Sequence, residues 1–180
     1  AAQVINMLYN IVDRIYIGHI PEVGDIALTG VGVTFPIIML VSAFAAFAGQ
    51  GGAPLASIQL GAGNREKAEK ILGNSLTLLL IAAVALTVGF SVFKEPILYA
   101  FGASENTIGY AMNYIGIYLI GTIFVQLALG LNTFISAQGK ALVAMLSVLI
   151  GAVLNICLDP VFIFGLHMGV KGAAYATVIG

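Results

Sequence analysis

Apolar residues run through this chain in long blocks, and charged residues fall between the blocks. A membrane-crossing helix needs about 20 mostly apolar residues, more when tilted. On that measure the pattern predicts helices over about 1–20, 25–60, 66–93, 105–137, 140–164 and 169–180. Positions 26–64 hold no Asp, Glu, Lys or Arg, a stretch too long for one untilted crossing. A bend is expected there, at Pro36 or around 49–54, because proline removes a backbone bond and crowds the preceding turn. Gly61-Ala62-Gly63-Asn64 and Gln138-Gly139-Lys140 read as turns. Lys94-Glu95-Pro96 is expected to break the third helix and leave 97–101 as a short apolar follow-on. Every spanning segment must satisfy its own backbone, so the fold class expected is all-α, a polytopic transmembrane helical bundle of about six helices. The alternating ten-residue segments of a β-barrel are absent.

Composition moves in the same direction. Of the 180 residues, 60% are hydrophobic and 8% charged, and the mean hydropathy is +1.05. Soluble domains carry about 25% charged residues. The net charge of −1 points to no nucleic acid and no acidic partner. The one cysteine, Cys157, allows no internal disulfide, supplies too little for a zinc site, and is expected to be a small packing residue. Residues 1–20 read as a helix rather than a signal peptide, lacking a charged n-region and a small-residue cleavage site. Both ends fall within helical or apolar runs, so the chain is expected to be a piece of something longer.

Charge also orients the helices. Arg65, Lys67, Lys70 and Lys140 fall in alternate connections, which are expected to face the cytoplasm. The other connections hold Lys94 and Lys171 with several acids. Small residues at helix-packing spacing (Gly30 with Thr34, Ala45 with Gly49, Gly109 with Asn113, Gly116 with Ile120) give a weak packing signal. Gly49-Gln50-Gly51-Gly52 lacks the lysine and hydroxyl of a phosphate loop.

The candidate chemistry lies in the few polar residues inside the apolar blocks. Ionisable groups at membrane depth are costly and by default functional. Asp159 is the clearest, with Asn155 one helical turn before it on the same face and Pro160 directly after. A bend at Pro160 would set backbone carbonyl oxygen beside carboxylate and amide oxygens, a donor set suited to Na⁺. Burial favours the neutral form of a carboxyl, which suits proton carriage. The same residues also fit an N-cap at Asp159 with Pro160 opening a helix, or a carboxylate at the outer interface. Asp13 is a second candidate, with Asn6, Tyr9 and Asn10 on its helix as interfacial or pathway residues. Gln50, Gln59, Gln126 and Asn132 are expected mainly to hydrogen-bond between helices. His19 and His167 fall in connections and are expected to be solvated. No nucleophile, base and acid can be assembled, so no enzyme is expected. The contexts Val12-Asp13-Arg14 and Leu158-Asp159-Pro160 match neither motif of an intramembrane aspartyl protease.

Three stretches carry a family likeness. Leu154-Asn155-Ile156-Cys157-Leu158-Asp159-Pro160-Val161-Phe162-Ile163-Phe164-Gly165, followed by Gly169-Val170-Lys171-Gly172-Ala173-Ala174-Tyr175-Ala176-Thr177, resembles the fifth helix and the start of the sixth in multidrug and toxic compound extrusion (MATE) transporters. Leu60-Gly61-Ala62-Gly63-Asn64-Arg65-Glu66-Lys67-Ala68 resembles the family's second inter-helix loop. Leu131-Asn132-Thr133-Phe134-Ile135-Ser136-Ala137-Gln138-Gly139-Lys140 resembles the end of its fourth helix. The resemblance implies one lobe, the N-terminal one, of a twelve-helix, two-lobe transporter, with residues 1–180 truncated at both ends. It implies export of cationic or amphipathic drugs and metabolites, driven by Na⁺ or H⁺ entry through alternating access, with no cofactor. It implies a cation site at Asp13, Asn155, Asp159 and Thr177, and Tyr9, Asn10 and Gln50 are kept as possible substrate-pathway residues. Expected partners are small-molecule cargo, the lipid bilayer and a C-terminal lobe; the expected location is a prokaryotic plasma membrane. The alternatives are a lipid-linked precursor flippase of the same superfamily, which should show more cationic residues lining its cavity, and a non-transporting membrane scaffold.

Overall fold

The structure, a computed structural model, describes residues 2–180 apart from the side chains of Ala2, Gln3 and Asn6. The reading of Asn6 therefore lies outside the described residues. Among these residues the helices are α1 (Ala2–Gly18), α2 (Gly24–Val33), α3 (Phe35–Gly61), α4 (Arg65–Ala100), α5 (Ile108–Ala137), α6 (Ala141–Pro160) and α7 (Val170–Ile179). A π-helical turn, Val161–Gly165, prolongs α6. The fold is all-α, and α3, α4, α5 and the α6–π segment are each long and apolar enough to cross a membrane. The 36 residues of α4 reach about 54 Å at 1.5 Å per residue, well beyond the ~30 Å hydrocarbon layer.

Two expectations about prolines change. The block expected as one helix over 25–60 divides at Thr34, just before Pro36. Pro36 has no N–H for the carbonyl one turn back, so the ladder is interrupted there. The break costs little, because Ile37 and Ile38 both donate to the Thr34 carbonyl, at 3.1 and 3.2 Å, and the Thr34 hydroxyl donates to the Val31 carbonyl at 2.6 Å. Pro54, by contrast, sits inside an unbroken α3. The expected break at Lys94-Glu95-Pro96 is absent: α4 carries Pro96 internally and continues to Ala100. Packing holds that last stretch, since Leu98 is fully buried in a cluster with Ile37, Val41, Ala111, Ile115 and Leu119.

Helix α5 is the central element, packing against α2, α3, α4, α6 and α7. Side-chain amides fix it to its neighbours, as expected of Gln126 and Asn132. Gln126 Nε2 donates to the Val41 carbonyl of α3 at 2.8 Å. Asn132 Nδ2 donates to the Ala144 carbonyl of α6 at 3.0 Å and to Ser147 Oγ at 2.9 Å. Gln59 instead accepts from Asn64 in the α3–α4 turn, at 3.2 Å. The small-residue signal splits. A Cβ on Gly49 would meet the Gly130 carbonyl of α5 at 2.7 Å, and one on Gly30 would meet the Thr107 carbonyl at 2.8 Å. Gly109 faces open space, and Gly116 meets nothing nearer than Lys94 Nζ at 3.6 Å. Cys157, expected to be packed, lies exposed on the outer face of α6.

The two basic turns share one end of the bundle. Ser57 Oγ near the end of α3 donates to the Ala137 carbonyl closing α5, at 2.6 Å. This brings 62–64 and 138–140 to the same side. Arg65–Glu69 and Lys70–Glu66 are exposed pairs one turn apart on α4, contributing little to stability.

The Gly49–Gly130 approach yields a direct test. Gly49→Val is expected to force α3 from α5, costing about 1–3 kcal/mol and lowering the thermal midpoint in detergent by several degrees. Gly51→Ala, where nothing lies within 4 Å, should lose nothing. Equal midpoints for both variants would contradict this packing.

Candidate functional site

The carboxyl at the end of α6 owes its position to a local irregularity. Pro160 cannot donate, and the Val161 N–H donates to the Leu158 carbonyl. Beyond it the ladder widens: Leu166 N–H reaches the Val161 carbonyl at 2.8 Å and Met168 N–H the Phe162 carbonyl at 3.0 Å. The proline is thus followed by a π-helical turn, a form common at functional sites. Gly172 seats α7 on that turn, since a Cβ there would lie 2.7 Å from the Phe162 carbonyl carbon. Asp159 falls inside the last turn of α6 and is 0% exposed. It is therefore not an N-cap.

Three helices bring the polar groups together. Asp13 comes from α1, Asn155 and Asp159 from α6, and Thr177 from α7. Asp13 is 6% exposed and Asn155 2%. The Asp13 and Asp159 carboxyls lie close enough across the α1–α6 contact for each to act on the other's charge. Arg14 does not neutralise them by an ion pair: its guanidinium lies over the Phe35 ring, 5.5 Å from the centroid. The backbone of α7 closes on Asn155, with Asn155 Cβ 2.8 Å from where a Cβ on Gly180 would stand. Thr177 Oγ1 donates to the Ala173 carbonyl at 2.9 Å and lies 3.3 Å from Tyr114 Oη of α5. Tyr114 in turn senses the charge of Asp13.

The hydrogen-bond inventory is what makes the cluster unusual. Asp13 Oδ1, both oxygens of Asp159 and both polar side-chain atoms of Asn155 are buried without a hydrogen-bond partner among the described residues. Buried polar groups are nearly always paired, so each exception calls for an explanation. Carboxylate, amide and hydroxyl oxygens suit a hard monovalent cation or a proton shared between carboxyls. Among the described residues, no three of His, Cys, Asp and Glu gather as a transition-metal site would require.

The remaining candidates separate. Tyr9 is half-buried near Asp13, with Asn10 beside it. Gln50 lies apart, in a groove between α3 and α4. His19 and His167 are exposed, the former with Nδ1 2.7 Å from the Ile15 carbonyl. Sequence reasoning missed Tyr114 and its neighbour Tyr118, which lies close to Tyr9 and Ser42. A signal was present. Tyr114, Tyr118, Thr122 and Gln126 recur every fourth residue of α5, and all four are buried.

Comparison with known proteins agrees with this architecture. The MatE family model matches residues 1–161. Multidrug export protein MepA of Staphylococcus haemolyticus (strain JCSC1435) is 31% identical over 175 residues, 97% of this chain and 38% of its own length. The FAD transporter of Shewanella oneidensis is 28% identical over 163 residues, covering 88% of this chain and 36% of its own. A MATE protein crystallised in a bent conformation superposes with a TM-score of 0.90 at 32% identity, over 98% of this chain and 39% of that one. The chain thus spans less than two-fifths of the relatives it matches. With a family model covering most of its residues and membrane-length helices in the matching fold, the chain belongs to the MatE family and is a multi-pass membrane protein.

Proposed function

We propose that this chain is the N-terminal lobe of a two-lobe, twelve-helix secondary transporter in a prokaryotic plasma membrane. It exports cationic or amphipathic compounds, drugs among them, in exchange for Na⁺ or H⁺. The observation that carries the reading is the pair of buried carboxyls, Asp13 and Asp159, facing each other beside unpartnered Asn155. The name of the Staphylococcus haemolyticus relative, a multidrug export protein, supports the cargo class. The basic turns gathered at one end support a cytoplasmic placement for that end.

The mechanism follows from electrostatics. Two carboxylates held in a low-dielectric interior without an ion-pair partner are costly. Entry of Na⁺ among the oxygens of Asp13, Asn155, Asp159 and Thr177, or of a proton between the carboxyls, removes that cost. Neutralisation favours the arrangement in which α1, α6 and α7 are closed together; loss of the cation favours one in which they part and hydrate. A ligand shifts such an equilibrium only by its difference in affinity for the two states. Exchange follows if cargo leaves from the state that the cation stabilises. Tyr9 and Asn10 border the carboxyl pair and are assigned to the path of cargo or coupling ion.

Two measurements test the reading. In the full-length protein reconstituted into vesicles, Asp159→Asn is expected to abolish dye efflux driven by an imposed Na⁺ or pH gradient. Efflux equal to the parent would overturn the coupling role, and imposing the two gradients separately identifies the ion. The second readout is stability. Asn155→Leu removes an unsatisfied buried amide and is expected to raise the thermal midpoint without Na⁺, by the equivalent of about 1–3 kcal/mol. It should also abolish stabilisation by added Na⁺ if Na⁺ is the coupling ion. A lowered midpoint would mean that Asn155 is satisfied by its surroundings.

A further inference from the structure

A groove of about 660 Å³ runs between α3 and α4, away from the carboxyl pair. Its size falls within the range of small-molecule pockets, about 300–1,000 Å³. Phe47, Leu55 and Leu78 give it apolar walls, and Gln50, Asn74 and Ser75 supply its polar groups. Glycine opens the floor: a Cβ on Gly52 would collide with Ser75 Oγ and the Phe134 ring, whereas Gly51 faces open space.

The depth of the amides makes the groove informative. Gln50 lies 11 residues before the end of α3 at Gly61, and Asn74 lies 9 residues after the start of α4 at Arg65. At 1.5 Å per residue both are roughly 15 Å from the basic turn, and Asn74 is about 6 Å past Lys70, the last charge at that end of α4. Two amides thus stand at one depth on opposite walls, on the side of the layer nearer the basic turn. Both are exposed. An amide facing acyl chains without a partner costs several kcal/mol in an alkane-like medium, so a cavity between the helices is the better place for the pair. The lining contains no Asp, Glu, Lys, Arg or His. Whatever binds is therefore held by hydrogen bonds and apolar contact, not by charge.

We propose that the α3–α4 groove is a cargo subsite for amphipathic molecules, which Gln50 and Asn74 engage by hydrogen bonding to a carbonyl, hydroxyl or amide of the ligand, independently of its charge. The inference rests on the transporter reading and deepens it. It separates the two chemistries of the molecule, with ionic coupling at α1, α6 and α7 and uncharged recognition at α3 and α4. A neutral and a cationic amphipath with similar apolar bodies and acceptor groups compete for the same groove.

The test uses the full-length transporter in vesicles, a cationic planar dye (ethidium) and a neutral amphipath with amide carbonyls (a steroid carboxamide). Gln50→Leu/Asn74→Leu is expected to raise KM at least tenfold for both compounds and to leave the gradient-driven maximal rate within about twofold. Asp159→Asn is expected to abolish the rate for both, so failure of coupling and failure of the groove are distinguishable. A cysteine at position 74, introduced into a Cys157→Ser background, should react with a maleimide and be protected by saturating neutral amphipath. Unchanged KM for both compounds in the double variant overturns the subsite. So does an effect confined to the cation. A position-74 cysteine that stays unreactive under every gradient also overturns it, assigning the groove instead to a packed helix of the remaining chain.

Discussion

Two carboxyls buried near each other, with no ion pair to either among the described residues, set the terms for this fold. Asp13 and Asp159 could each have been satisfied cheaply, by Arg14 next door or by a helix N-terminus. Instead Arg14 stacks on Phe35, and Asp159 ends α6 at its electronegative end, where the macrodipole disfavours a carboxylate. The first acts on Asp13 only at longer range, and the second is withheld. In the proposed coupling, groups left in that condition store free energy that a small cation would release, and the release would depend on three helices converging. That convergence needs the π-helical turn after Pro160, because the turn supplies the seat on which Gly172 brings α7 down.

The rigid counterpart of this mobile corner is α5. It meets α3 through the Gly49–Gly130 approach and the Gln126–Val41 bond, and α6 through Asn132. Its buried polar file starts at Tyr114, which reaches Thr177, and descends through Tyr118 and Thr122 to Gln126. Gln126 Oε1 is itself buried without a donor. One turn further, Leu79 packs directly on Gly130 and closes the file with hydrocarbon. A polar file that stops at an apolar plug allows hydration near the carboxyls without a continuous leak across the bundle, a condition any gradient-driven exchange must meet.

How much of this could be read from residues alone depended on the range of the interaction. The Asn155–Asp159 face was legible because four-residue spacing is a property of the helix itself. The all-α class was legible because apolar length and missing charge leave few alternatives. The prolines were legible only as places where a bend could fall, because each outcome is tertiary. Pro36 ends a helix where Thr34 can satisfy the freed groups, Pro96 is absorbed because Leu98 is buried, and Pro160 leads into a π turn on which α7 rests. Glycine behaved likewise. Gly30 and Gly109 look alike in sequence, yet a neighbouring backbone crosses one and not the other. Cys157 sits in an apolar run, but the run is a helix with an outer face, and the cysteine is on it. The partnership of Tyr114 with Thr177 spans 63 residues; only the repeat along α5 hinted at it. Gln50 pointed to a polar environment, but its companion Asn74 came from another helix.

Separation of the carboxyl pair from the α3–α4 groove constrains how coupling can work. No ionisable group lines the groove, so cation entry cannot act on cargo there by direct charge competition. Coupling between distant sites then needs an element with two arrangements that both sites bias. Among the described helices, α5 touches both regions but is pinned to α3 and α6, while α1 is held mainly by α6 and α2. The element free to change its packing is therefore α1, and α5, with α7 packed on it, serves as the surface against which it moves. Cargo in the groove would sense that movement through whatever closes over the exposed amides. On this argument specificity and energy coupling are carried by different helices, and substitutions in the groove alter which compounds are carried without altering which ion drives them.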